Sequence, residues 1–182
     1  MAYISALATG QVAERKLLMT VAEWGGTWGD GGYTGGQKEV LGIRTEDSSI
    51  EFNPDIETTT DICGITYTDV NKTEPQQDFD PMFIRGGSAL GEYLSARAIR
   101  NDIAAYNNVF NVYIITAYYG EGTGKALTSY YAVRHRDCSI IPTSIGGDTK
   151  LSMPIEVHFS NVITEGTVDK LDATFTFTEK QR

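Results

Sequence analysis

The side chains able to do chemistry are few and badly spaced for it. His135 and Cys138 stand in the run His-Arg-Asp-Cys, with Cys63 and His158 far from them in the chain. Four such ligands suit zinc in kind, but no close Cys-x-x-Cys or His-x-x-x-His pair is present, so no metal is expected. His158 lies two residues after Glu156 and the pair has the elements of acid–base chemistry; a solvated histidine on a wet strand face accounts for it as well. Gly122-Thr123-Gly124-Lys125 lacks the longer glycine-to-lysine spacing, and the following Ser or Thr, with which a loop cradles phosphate. Carboxylates abound, yet no nucleophile–base constellation or cofactor motif accompanies them. Neither enzymatic activity nor a cofactor is expected.

Two other groups of residues remain. From Trp24 to Gln37, seven of fourteen residues are Gly, interspersed with Trp24, Trp28 and Tyr33. That much glycine reads as a long mobile loop, and its aromatics suit either docking on a partner or folding back on the domain, which sequence does not separate. The stretch Glu46–Asp80 holds ten Asp or Glu and one Lys, and so carries the whole net charge of −9; elsewhere fourteen acids balance fourteen bases. Lopsided blocks are commonly solvated tails. Here Ile50, Phe52, Ile56, Ile62, Ile65, Tyr67, Val70 and Phe79 are interleaved with the carboxylates, which reads as folded strands with a charged face. Such acidity disfavours gripping nucleic acid, which depends on Lys and Arg meeting phosphates.

The elements that must position these residues follow from pattern. At 182 residues the chain is read as one domain, 1–182, able to bury its own core. It has no run of about 20 apolar residues to span a bilayer and no secretory pattern, so folding in a cytoplasm with two reduced thiols is expected. Arg15–Trp24 reads as a strand, as does Val40–Ile43. Turns are expected at Asn53-Pro54-Asp55 and Cys63-Gly64, with Glu57, Thr59 and Asp61 sharing one face between them, and Lys72–Pro81 reads as a connecting loop. A helix is expected over about 88–106, capped by Ser88; Leu90, Tyr93, Leu94 and Ala98 share one side, and Ile99, Ile103 and Tyr106 lie nearly opposite, free to meet a neighbour. Val109–Tyr119 is apolar on both faces, as befits the middle of a layered core, and Tyr130–Ile141 follows as a strand. Met153, Ile155, Val157 and Phe159 alternate with polar residues, and so do Leu171, Ala173, Phe175 and Phe177, with a turn expected at Thr164-Glu165-Gly166. The sum is a mainly β chain: a β-sandwich or partly open barrel of antiparallel strands with one flanking helix.

Three segments carry a resemblance: EDSSIEFNPDIETTTDICGITYTDVNKTEPQQDFDP, the helix ending in RNDIAAYNN, and CSIIPTSIGGDTKLSMPIEVHFSNVITEGTVDKLDATFTF. Together they resemble the major tail tube proteins of long-tailed, siphovirus-like bacteriophages. The resemblance implies a virion tail subunit, assembled in the bacterial host cytoplasm, that polymerises as stacked hexameric rings into a tube conducting DNA. It implies partners of that kind: further copies of itself, tape measure and terminator proteins, and DNA that passes without being held; no membrane binding is expected. On this reading Glu51, Glu57, Asp61, Glu156 and Asp172 are candidates to line the channel. Trp24, Trp28 and Tyr33 are candidates for inter-ring contact, and Ile99, Ile103 and Tyr106 for contact between subunits. The alternative is a carbohydrate-binding β-sandwich using the loop aromatics as its platform.

Overall fold

The computed structural model describes residues 3–29, 32–45 and 48–180. In chain order the strands are β1 (Tyr3–Ser5), β2 (Leu18–Trp24), β3 (Thr27–Gly29), β4 (Gly32–Thr34), β5 (Gln37–Val40), β6 (Ile50–Glu51), β7 (Pro54–Thr60), β8 (Thr66–Thr73) and β9 (Gln76–Phe79). After helix α1 (Ala89–Ile99) come β10 (Phe110–Thr123), β11 (Ala126–Pro142), β12 (Ile155–His158), β13 (Ile163–Val168) and β14 (Phe177–Glu179). Ten strands form one antiparallel sheet whose main path is β5-β2-β10-β11-β12-β9-β6, with β1 on β10, and β13 on β11 and β14. The remaining four make two separate hairpins, β3–β4 and β7–β8.

The sheet folds onto itself because β11 changes partners. Its Tyr130–His135 half pairs with β13 and its Ser139–Pro142 half with β12. Between the halves Asp137 takes a φ of 56°, and the ladder to β10 slips between Phe110 and Val112. A bulge of this kind lets one strand turn a corner and serve two sheets. Alternation along β2 and β10 then fills both sides. Ala22, Trp24 and Val112 join Phe79, Ile155, Val157, Leu90 and Leu94 in one core. Val21, Tyr113 and Ile115 join Ala132, Val168 and Phe175 in a second. The expected β-sandwich with a flanking helix is what forms, with β5 and β6 left as open ends.

Helix α1 is tied to the sheet through its first turn. Gly91 N–H donates to Ser88 Oγ at 3.1 Å, and the β5 carboxylate of Glu39 accepts from Leu90 N–H at 2.9 Å and from the Ser88 hydroxyl at 2.6 Å. An acid at this end also meets the positive pole of the helix. The helix is shorter than its apolar pattern predicts. It stops at Ile99, Asn101 takes φ 54°, and a single 3-10 turn, Ile103–Ala105, follows. Leu90 and Leu94 need the core; the opposite side has nothing to hold it helical.

Two further expectations are corrected. Lys72–Pro81 is not a connecting loop, because its middle is β9, with Gln77 and Phe79 buried. Gln77 bridges the two layers: the Thr20 hydroxyl donates to its Oε1 at 2.9 Å, and its Nε2 donates to Ser48 Oγ at 3.0 Å. Nor is Thr164–Gly166 a turn; it lies inside β13, and the chain from Asp169 to Thr176 is irregular, leaving only Phe177–Glu179 as strand. Asp169 accepts from Thr176 N–H at 2.7 Å and Asp172 from Thr174 N–H at 2.6 Å. Aspartates that capture nearby backbone donors in this way compete with a strand ladder.

Replacing Gln77 with Leu strands the Thr20 hydroxyl, while Ser48 keeps its bond to the Asp78 carbonyl, and is expected to cost about 1–3 kcal/mol in a denaturant titration. A pH effect follows from His135, which is buried, packs on Phe159 and donates from Nδ1 to Ser160 O at 2.9 Å. Burial lowers its pKa, and the Ser160 contact opposes that only in part. The folded state therefore binds fewer protons than the unfolded one below about pH 6.5, and stability is full above that value and lost as pH falls. Melting temperature should drop between about pH 7.5 and pH 5.5, and His135→Asn should shrink the difference.

Candidate functional site

Strands β6, β9 and β12 present one wet face. Register pairs Glu156 with Asp78, His158 with Gln76, and Glu51 with Gln76, so all five side chains point the same way. The residues between them, Ile155, Val157, Gln77 and Phe79, are buried behind. His158 Nε2 lies 3.3 Å from Glu156 Oε2 at a half-exposed position, a solvated pair. Of the five candidate channel carboxylates, this face brings together Glu51 and Glu156 and adds Asp78. Sequence reasoning missed Asp78 by reading its strand as loop; with three polar residues before Phe79 the segment shows no alternation, and only its burial reveals the strand.

Glu57 and Asp61 belong to a different object. The seven residues of β7 and the eight of β8 are all exposed, so this hairpin stands free of the body. On one face it pairs Ile56 with Val70, Thr58 with Thr68 and Thr60 with Thr66; on the other it pairs Glu57 with Asp69 and Thr59 with Tyr67. Like charges directly opposite one another weaken a ladder, and a lone two-stranded hairpin is marginal in water. At the tip Ile62 is 105% exposed, with Ile65 at 53%. Asp61 closes this tip: Ile65 N–H at 2.9 Å, Cys63 N–H at 2.8 Å and the Tyr67 hydroxyl at 3.3 Å all donate to its carboxylate and lower its pKa. Asp172 is held likewise by the Thr174 hydroxyl and N–H, its pKa lowered by both. These two acids make turns. Glu46 and Asp47, which open the acidic stretch, lie outside the described residues.

The glycine-rich run is the hairpin β3–β4, folded back over the body; Asp30 and Gly31 at its tip lie outside the described residues. Trp24 is 3% exposed and belongs to the core. Gly26 N–H donates to the Tyr33 hydroxyl at 2.7 Å, and a Cβ on Gly36 would come within 2.6 Å of the Tyr33 ring and 2.8 Å of the Glu23 side chain, so glycine here permits close approach. Trp28 and Tyr33 sit at 57° to each other, and the Arg136 guanidinium lies 3.7 Å from the Trp28 ring centre. The two rings are not coplanar and Arg136 covers one face of Trp28, so they form no flat platform for a sugar. Ile99 and Ile103 are 73% and 57% exposed at the end of the helix, whereas Tyr106 is half-buried against the core.

Among the described residues no group of three His, Cys, Asp or Glu is placed to hold a metal ion, and no helix is long and apolar enough to cross a membrane. No family model and no curated protein matches the chain. Among the solved structures similar to it are two from tube assemblies. The tube-terminating cap of the anti-feeding prophage shares 14% identity at a TM-score of 0.44, over 88% of this chain and 95% of that one. The sheath-tube complex of the PVC extracellular contractile injection system, in its extended state, shares 13% at 0.41, over 84% and 89%. Likeness this distant leaves the functional reading to the chain's own sequence and geometry.

Because the β7–β8 hairpin rests on nothing, replacing residues 54–73 with a short Gly-Ser linker should leave the melting temperature of the dilute subunit nearly unchanged. A large drop would show that the hairpin supports the body.

Proposed function

We propose that this chain is a structural subunit that polymerises into a tube, the β7–β8 hairpin serving as its assembly arm and the acidic face of β6–β9–β12 as channel wall. The observation that carries this is the hairpin itself. It exposes Ile56 at 56%, Val70 at 58%, Ile65 at 53% and Ile62 fully, on a ribbon that no part of its own body supports. Full burial of side chains of this size contributes about 1.5–3 kcal/mol each. A neighbouring copy that covered them would offset the marginal stability of the isolated ribbon and order it. The resemblance of three long segments to tail tube proteins supports the same reading and supplies the expectation of six-fold rings.

The channel wall needs no reaction. Duplex DNA carries a phosphate charge about every 1.7 Å along its axis, and a basic wall would bind it. Glu51, Asp78 and Glu156 on one sheet face would repel it from all sides of a ring and centre it. Glu57, Asp61 and Asp172 fit this role less well than the sequence alone suggested, since the first two sit on the arm and the last is locked into a turn.

Electron microscopy of the purified protein at rising concentration is the direct test, with filaments around a central channel as the expected result. A monomer at all concentrations that binds glycans would overturn the proposal. Ile56→Asp with Val70→Asp should give a folded subunit that forms no tubes. Tubes should not retain duplex DNA at low salt, whereas Glu51→Lys, Asp78→Lys and Glu156→Lys combined should retain it; a reconstruction with these carboxylates on the outer surface would refute the channel assignment.

A further inference from the structure

Beside the second core two arginines stand close together, one buried and one half-buried. Arg134 and Arg136, two apart on β11, point to the same face. Arg134 is 5% exposed and pairs with Glu179 on β14. Its guanidinium also lies 4.8 Å from the Phe177 ring centre and 4.9 Å from that of Trp28. Arg136 stacks on Trp28 at 3.7 Å and has no acidic partner among the described residues. The Nε atoms of both arginines are buried without a hydrogen-bond partner. Of the two guanidiniums, Arg134 thus has a carboxylate partner and the half-buried Arg136 has none among the described residues. The cleft is nonetheless reachable: Trp28 is 37% exposed and Val162, whose carbonyl accepts from Arg136 N–H at 3.0 Å, is 43% exposed.

The β7–β8 hairpin has the opposite imbalance. Glu57 faces Asp69 across the ladder; Glu57 has a distant contact to Asn71 Nδ2 at 3.5 Å, and Asp69 has no partner among the described residues. At about 3.3 Å per residue the hairpin reaches roughly 25 Å, and this pair, midway along it, stands about 10 Å from its base. We propose that the Arg136–Trp28 cleft is the socket that receives the acidic face of the β7–β8 hairpin of a second copy of this chain, Asp69 pairing with Arg136 and the Trp28 and Val162 rim covering Tyr67. The socket rests on the tube reading and adds to it the surface on which the arm lands. Each surface holds the charge that the other lacks, so pairing relieves like-charge repulsion on the arm and an incompletely neutralised arginine in the cleft. Opposite charges arranged in this way also select the register of docking.

A charge-exchange experiment tests the pairing. Arg136→Glu and Asp69→Arg, each alone, should raise the critical concentration for assembly by about tenfold or more with the monomer still folded, and the two together should recover most of the loss. If wild-type protein forms tubes and both single variants assemble equally well, the socket is wrong and the tube reading stands; if wild-type protein forms no tubes under any condition, both fall. Should Arg136→Glu fail to fold, Val162→Cys with Tyr67→Cys in a Cys63→Ser background, which keeps the Asp69 and Arg136 charges, decides the matter. Oxidation of those tubes should give a disulfide between copies, and tubes that form without it would overturn the socket.

Discussion

Burial of both faces of β2 and β10 is the constraint on which the rest depends. A strand apolar on one side needs one covering layer; these need two, and the chain supplies them from different places. Strands β9 and β12 and helix α1 cover one side, and the segment leading into β14 covers the other. Only a strand able to serve both sheets can connect such layers, which is the role of β11 and its bend at Asp137. Remove the bend and β12 would continue the plane of β13, leaving Phe79, Ile155 and Val157 uncovered.

The second face is costlier to build because it contains charge. Glu23 is 4% exposed, and it is held by the Tyr113 hydroxyl at 2.6 Å, Asn111 Nδ2 at 3.4 Å and Lys38 Nζ at 3.6 Å. Burial and this carboxylate together push the Tyr113 phenol far up, so it remains a donor at any ordinary pH. The β3–β4 hairpin closes over this network, and its glycines are needed where Tyr33 passes within contact of Gly26 and Gly36. In the first core, burial pushes the Cys138 thiol up to about 11.

Charge that the core cannot accept is displaced outwards, and it comes to rest on two surfaces that differ in kind. The β6–β9–β12 face is backed by packed side chains and therefore rigid, which suits a wall. The β7–β8 hairpin is backed by nothing, and a ribbon with exposed Ile and Val is an invitation to pair with another chain. Its Glu57–Asp69 face makes indiscriminate pairing costly, because two such ribbons meeting acid to acid repel one another. Apolar attraction and acidic selectivity on opposite faces of one arm are the properties expected of an assembly element that should wait for the right surface.

Strand content, the two-sided apolar runs, the Ser88 cap, the alternation from Met153 to Phe159 and the location of all the excess charge were legible in the sequence, because each depends on local periodicity or on a simple count. Where it misled, the cause was mostly residues far away in the chain: Gln77 is a core residue because Thr20 and Ser48 meet it, and Thr164–Gly166 is strand because β11 lies alongside. Asp172 differs, since a local turn with Thr174 displaced the strand that its alternating pattern suggested. Trp24 and Trp28 look alike as loop aromatics, yet one enters the core and the other stacks on Arg136. By itself the sequence determined that a mainly β body must form and that its acidic, β-branched stretch folds as strands, since hydrophobic period and charge are properties of neighbours in the chain. Only the tertiary structure decided that this stretch divides into strands packed on the body and a free-standing hairpin, because whether a strand finds a partner depends on which other strand the bend in β11 brings beside it.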